Sequence, residues 1–193
     1  CLPTSSLSVL IQGCNVGAYV PRGSWSEPTT GVKVVTLEGT GPAPTIIPTP
    51  NAVNSCASNS VTGETVCASN GTDVYLITGT TLNNTLTSGA TGSQNFSGGN
   101  CMTCGVAMDA STNQAILAIG VAVGGPGGFQ FVDLGTSTPG AVVPAGAVTS
   151  EDISVDPVRH LVLSPNEQSN YQIMQTQPTP TLFDNITNPP QNH

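Results

Sequence analysis

The sequence repeats a pattern in which an apolar segment runs into an Asp or Asn turn and a second apolar segment leaves it. The two clearest copies are GVAMDASTNQAILAIG, at residues 105–120, and DISVDPVRHLVLSPNE, at residues 152–167. Asp109 and Asp156 occupy the same place in these copies, 47 residues apart. An Asp at the start of a turn can accept backbone N–H groups two residues on, so both copies are predicted to be β-hairpins.

Two looser copies extend the repeat toward the start of the chain. They are SCASNSVTGETVCASN at 55–70, with Asn59 in the turn position, and SVLIQGCNVGAYVP at 8–21. Each hairpin is followed by a third apolar strand and by a fourth, more polar strand. The predicted third strands are 31–39, 73–79, 128–135 and 170–177, and the fourth strands are 44–49, 83–88, 140–145 and 180–185. A unit of four strands in about 45 residues is typical of a β-propeller blade.

The predicted fold is therefore all-β and propeller-like, with four four-stranded antiparallel blades. We place the blades at about 7–49, 51–89, 101–146 and 150–186, in a single domain or propeller fragment that covers residues 1–193. Four blades are the lower limit for a closed propeller. We therefore expect an incomplete ring, to be completed by other chains or by further blades. The alternative is an open stack of blades within an assembly. We interpret the start at Cys1 as arbitrary, in preference to the mature N-terminus of a lipoprotein.

The repeat resembles those of NHL/YVTN-type propeller proteins. In that class a blade reads as an apolar strand, D-P or D-x-x-x-[NG], a second strand, a turn and a third strand. The stretch ISVDPVRHLVLSPNEQSNYQIM, at residues 153–174, is the copy most similar to this pattern, and 105–120 is the next. The resemblance implies a propeller fold, and it leaves the activity open because the class has many functions.

Composition excludes some partners and favours a location outside the cell. Only 7% of residues are charged, the formal net charge is −8, and the strong cations are Arg22, Lys33 and Arg159. Nucleic acid and anionic membranes are unlikely partners because phosphate binding requires clustered Lys and Arg, and no apolar run is long enough to span a membrane. The Gly, Thr, Ser, Asn and Pro content suits a secreted or cell-surface protein. Four N-x-[ST] sequons predict glycosylation at Asn70, Asn83, Asn95 and Asn185.

Two of the six cysteines flank a hairpin turn symmetrically. Pairing residue 59 with residue 64 places Cys56 directly opposite Cys67. Facing Cβ atoms in an antiparallel pair are close enough for a disulfide after slight adjustment. We expect a bridge between them, and the alternative is a pair of small buried thiols.

A second cysteine pair forms a C-x-x-C motif at Cys101 and Cys104. A haem attachment would require His where Gly105 stands, and a zinc site would normally require a second such motif. A redox motif would precede a helix, whereas a strand is predicted here. We favour a structural bridge, either within the motif or to Cys14 or Cys1. A metal site and free or redox-active thiols remain less favoured alternatives.

The other candidate sites have structural alternatives. Asp109 and Asp156 share one rim and are candidate Ca²⁺ ligands, although turn capping is the favoured role. Trp25 is a candidate ligand contact that could stack on a sugar, although covering a blade face is favoured. The carboxylates of Glu151 and Asp152 are not fixed at a glycosidase separation by anything in the sequence.

No nucleophile, paired acid and base, or phosphate loop stands out in the sequence. We therefore expect a non-enzymatic, secreted or cell-surface scaffold without a cofactor, which assembles with other chains or binds glycan or protein. The alternative is a propeller-type hydrolase, such as a lactonase or glycosidase, with a Ca²⁺ or other metal in its channel. Part of that site would lie outside this chain.

Overall fold

The chain folds into four consecutive antiparallel sheets. The computed structural model describes residues 8–12, 15–22, 30–36, 43–96, 99–121, 127–145, 153–165, 170–177 and 179–187. These ranges contain eighteen strands and no helix, and hence no helix that could cross a membrane. Four sheets have four strands each, with every strand beside its neighbours in sequence. The predicted all-β architecture is confirmed.

The four large sheets, here called blades one to four, follow the chain in order. Blade one contains β1 (Ser8–Gln12), β2 (Asn15–Arg22), β3 (Gly31–Thr36) and β4 (Thr45–Ile47), and blade two contains β5 (Val53–Ser58), β6 (Glu64–Ser69), β7 (Asp73–Thr78) and β8 (Thr81–Thr87). A small hairpin follows, made of β9 (Gln94–Phe96) and β10 (Gly99–Cys101). Blade three contains β11 (Thr103–Asp109), β12 (Gln114–Gly120), β13 (Gly127–Asp133) and β14 (Thr138–Pro144), and blade four contains β15 (Ser154–Asp156), β16 (Leu161–Pro165), β17 (Asn170–Gln175) and β18 (Thr181–Thr187).

Each blade uses the alternation of side chains along a strand to contact two neighbours. In β12, Leu117 packs in a core shared with blade two, whereas Ile116 packs in a core shared with blade four. We call the face toward the next blade the forward face and the opposite one the backward face. Three buried clusters fill the interfaces in turn: one between blades one and two, one between two and three, and one between three and four.

Cys56 and Cys67 form a disulfide within the core between blades one and two. The two residues face each other in the ladder of β5 and β6, with their Cα atoms 4.1 Å apart. Val106 and Leu117 form the equivalent pair in blade three. The disulfide therefore takes the place of an apolar cross-strand pair, and both sulfur atoms belong to the core.

Cys101 and Cys104 form the second disulfide, at the entry to blade three. Cys101 ends the small β9–β10 hairpin and Cys104 lies in β11, and both residues are buried. Between them, Met102 donates its N–H to the carbonyl of Asn70, at 2.9 Å. The C-x-x-C motif thus fixes the point at which the chain passes from blade two to blade three. Cys1 and Cys14 lie outside the described residues.

Replacing Cys56 and Cys67 together by valine tests the structural role of their disulfide. We expect the fold to persist, because valine suits a buried strand position, with a free energy of unfolding lower by about 2–3 kcal/mol from the freed unfolded chain. The matched double replacement by serine should cost more, because it buries two hydroxyl groups. Urea denaturation under non-reducing conditions measures both. Equal losses for the two variants would contradict the assignment of this pair to the apolar core.

Candidate functional site

The first hairpin turns of blades two, three and four share one geometry. In each, an Asn or Asp side-chain oxygen accepts the backbone N–H two residues later, at distances of 2.8, 3.0 and 3.0 Å. The residue four positions later has a left-handed backbone: Gly63 at φ 77°, Asn113 at 54° and His160 at 56°. We call these turns, at 59–63, 109–113 and 156–160, the Asx rim.

The Asx rim also connects neighbouring blades. The Nδ2 atom of Asn59 donates to Oδ1 of Asn113 in the next blade, at 2.7 Å. One blade further on, Oδ2 of Asp109 lies 3.6 Å from Nδ1 of His160. In both interfaces, the residue that begins one turn faces the left-handed residue of the next turn. The repeat therefore places a polar contact at the same position of successive interfaces.

Asp109 is the most unusual side chain of the rim, because its carboxylate is completely buried. Its Oδ1 atom accepts hydrogen bonds from the backbone N–H and the hydroxyl of Ser111, at 3.0 and 2.6 Å. Its Oδ2 atom has no hydrogen-bond partner and faces the imidazole of His160, which also lacks one at Nδ1. A protonated His160 would make this contact an ion pair between blades three and four.

Asp156 has a different environment, although it occupies the same repeat position. Its Oδ1 atom accepts the N–H groups of Val158 and Arg159, and its Oδ2 atom lies 2.7 Å from the Arg159 guanidinium. The hydrogen bond from the Arg159 side chain is the main reason that the pKa of Asp156 lies below its ordinary value. The charge of this carboxylate is thus balanced within its own turn.

The calcium prediction receives no support from this arrangement. Asp109 is directed toward His160, and Asp156 is paired with Arg159. Both carboxylates cap their turns, which is the favoured alternative of the sequence analysis. Among the residues that the structure describes, no group of three or more His, Cys, Asp or Glu side chains could hold a metal ion.

A second set of contacts between blades comes from the third strands, and the sequence analysis missed it. Gln130 accepts the N–H of Gly89 at 2.8 Å, the Tyr75 hydroxyl accepts the N–H of Asn51 at 3.0 Å, and Gln172 donates to the carbonyl of Ala145. We call Tyr75, Gln130 and Gln172 the clasp residues. They are repeat-equivalent, because each faces the second-strand residue eight positions after the turn Asx.

The clasp residues hold each blade to the segment that leaves the previous blade. All three are buried, and a polar group buried in this way must be hydrogen-bonded to avoid a large desolvation cost. The signal in the sequence is a polar or amphipathic residue within each third strand. The residue type is not the same in all three blades, so the common role is recognisable only from the register.

Two of the four predicted glycosylation sites have described side chains. Asn70 and Asn83 are exposed, and Nδ2 of Asn83 donates to the hydroxyl of Thr78 at 2.7 Å. Asn95 and Asn185 lie in β9 and β18, but their side chains are outside the described part. Trp25, Glu151 and Asp152 also lie outside the described residues. Glycosylation and ligand contact by Trp25 remain predictions.

No protein-family model and no curated protein matches the chain. Among solved structures 569 chains match, so the fold recurs widely and does not select an activity. One is in the crystal structure of a mitotic checkpoint complex, with a TM-score of 0.65 and 14% identity over 94% of this chain and 52% of that chain. The chain therefore spans about half the length of that structure. At this identity the likeness shows the fold alone, and it confirms a propeller-like arrangement. The described strands do not form a closed ring.

Variants of Asp109 test whether the turn contact or the charge stabilises the rim. We expect Asp109→Ala to lower the free energy of unfolding by about 1–3 kcal/mol, because it removes the charged acceptor of two hydrogen bonds from Ser111. Asp109→Asn should cost much less, since it keeps the Oδ1 acceptor and reproduces Asn59 of blade two. Urea denaturation near neutral pH measures both, with Asp133→Ala as a control in an exposed turn of the same blade. If Asp109→Asn and Asp109→Ala were equally destabilised, the charge facing His160 would be the important feature.

The environments of Glu64 and Asp156 predict opposite effects of pH on the stability of the fold. Burial raises the pKa of Glu64 above its ordinary value of 4.5, so its charged form destabilises the fold at higher pH. Glu64→Gln should therefore raise the melting temperature near neutral pH, and the gain should disappear below pH 4.5. Asp156 has a lowered pKa, so it stabilises the fold above its ordinary value of 3.8, and this contribution is lost as pH falls through its lowered value.

Asp156→Asn should accordingly lower the melting temperature near neutral pH, with the loss fading under acidic conditions. Circular dichroism melts from neutral to acidic pH give the two profiles. Shifts of the same sign for the two variants would refute the assigned environments.

Proposed function

We propose that this chain is a non-enzymatic scaffold of the propeller type that acts by association with other polypeptide. The observation that carries the proposal is that the polar side chains of the Asx rim and the clasp make structural hydrogen bonds in the described part of the chain. The Asx rim and the clasp residues bond to turns and to neighbouring blades. Their polar groups therefore hold the architecture together, and the buried side chains give no catalytic set among these residues.

The fold and the charge support protein partners over other kinds. One of the structures with a similar fold is that of a complex, the mitotic checkpoint complex. The low charge and the net charge of −8 disfavour nucleic acid and anionic membrane. We therefore assign the contacts of this scaffold to protein. Glycan binding through Trp25 is a separate prediction.

A secreted or cell-surface location is part of the proposal. Two disulfides in a chain of 193 residues are typical of oxidising compartments. The exposed side chains of Asn70 and Asn83 would be accessible to glycosylation. We also propose kinship with the NHL/YVTN-type repeats, on the basis of the Asp156–Pro157 turn and its left-handed residue four positions after the Asp.

The scaffold proposal predicts an assembled particle without catalytic metal. Native mass spectrometry of the protein from its host should give a mass above the 19.5 kDa of this chain, and elemental analysis should give no stoichiometric Ca²⁺ or Zn²⁺. Assays on aryl glycosides and lactones should show no turnover. Stoichiometric metal together with turnover would overturn the proposal in favour of the hydrolase alternative. An isolated particle of the mass of this chain would also overturn it.

A further inference from the structure

Blade four presents an apolar forward face that no other described blade covers. Leu163 and Tyr171 on this face are 41% and 37% exposed, and Ile173 is half-buried between them. With Ser154, Asp156 and Leu161, the residues Leu163 and Ile173 line a shallow apolar depression of about 300 Å³. We call these six residues the open face of blade four.

The repeat shows what this face is built to contact. Leu163 and Ile173 face each other across β16 and β17, and the equivalent pairs are Val66–Leu76 in blade two and Ile116–Phe131 in blade three. All four equivalents are buried, at 5% exposure or less, because the next blade packs on them. The position of Tyr171 corresponds to the buried Val74 and Phe129 in the same way. The open face therefore continues the surface that each preceding blade buries against another blade.

Blade one presents the complementary surface. Val32 and Val34 pack toward blade two, so the alternating residues Lys33 and Val35 lie on the backward face. We infer that Lys33 is the clasp residue of blade one from its pairing with the fourth strand. It follows Val32, which pairs with the buried Ile47, just as Tyr75 follows Val74, which pairs with the buried Leu86. A lysine ammonium group can donate to a backbone carbonyl, as Gln172 does to Ala145. Within the described residues no blade lies behind blade one to receive this group.

We propose that the open face of blade four binds blade one of a second copy of this chain, head to tail. The inference rests on the proposed scaffold function and names the partner. In such a dimer each copy contributes one open face and one backward face, so both exposed ends of the stack are covered. The interface repeats the three that the chain already contains, with apolar forward pairs against a backward face that carries a polar clasp.

A ring of this kind is compatible with the geometry of propellers. Two copies supply eight blades, which is within the usual range of four to eight. A head-to-tail contact forms a closed ring when its rotation closes and an open filament when it does not.

The test is the association state of the chain with its disulfides intact. Native mass spectrometry and sedimentation over a wide concentration range should give twice the 19.5 kDa of one copy. Leu163→Asp should abolish the dimer, because it places a charge in an apolar interface. The control is Val61→Asp, at the equivalent turn position of blade two, where the side chain is 78% exposed, and it should leave the dimer intact. Circular dichroism checks that each variant is folded.

Variants at Lys33 test the other half of the contact. Lys33→Glu should abolish the dimer, whereas Lys33→Gln should retain it, because glutamine is the clasp residue of blades three and four. A mixture of the Leu163→Asp and Lys33→Glu chains should recover dimer, since the mixed pair has one unaltered interface. Recovery is a property of head-to-tail pairing and is not expected when two open faces meet each other.

Three results would overturn the inference. They are a folded wild-type chain that stays monomeric at every concentration, a dimer that survives Leu163→Asp, and a dimer that is lost in Leu163→Asp but unaffected by Lys33→Glu. In the first case an assembled native particle containing other protein would leave the scaffold proposal standing. Conversely, a dimer with these responses that turned over a lactone or glycoside would refute the scaffold proposal and keep the inference.

Discussion

The architecture depends on the fact that each blade is a sheet with two apolar faces. A sheet of four short strands cannot bury both of its faces by itself, so each blade requires a neighbour on each side. Blades two and three meet this requirement within the chain, and their second strands are almost completely buried. The outer faces of blades one and four do not meet it among the described blades. The central blades are therefore covered on both faces, whereas blades one and four each keep one face that no described blade covers.

Apolar burial favours stacking but does not define how one blade is positioned on the next. The position of one blade on the next is defined by two sets of polar contacts. The Asx rim connects the first hairpin turns, and the clasp residues connect each third strand to the segment leaving the previous blade. Because an unpaired buried polar group is costly, a blade that slid or rotated on its neighbour would lose both contacts at once. The polar contacts therefore determine the alignment of the stack.

Much of this fold could be predicted from local patterns, because the hairpins carry their own signals. Asp109 and Asp156 mark turn starts, and the symmetry of Cys56 and Cys67 about the turn at 59–64 indicates the register of a hairpin. Contacts between blades could not be predicted in the same way. Gly63, Asn113 and His160 share a left-handed backbone but no residue type, and so do not appear as a repeat.

The surroundings of the candidate calcium ligands also could not be predicted from local patterns. Repeat equivalence places Asp109 and Asp156 on one rim, but it does not determine where the carboxylates are directed. That direction depends on His160 for Asp109 and on Arg159 for Asp156, and neither residue type recurs at the equivalent position of the other turns. The small hairpin at 94–101 was also not predicted, since its polar sequence lacks the apolar alternation of a blade.

The two disulfides have a consequence for how the structure opens. Both lie in the central part of the stack, within blade two and at the entry to blade three. In a stack where each unit contacts its neighbours, stability approximates a sum of unit and nearest-neighbour terms. Separating a terminal blade breaks one interface, whereas separating a central blade breaks two, and the β5–β6 hairpin of blade two is also held together by its disulfide. The low-energy fluctuations of such a stack are therefore concentrated in its terminal blades. The central blades separate from their neighbours at a higher cost in free energy.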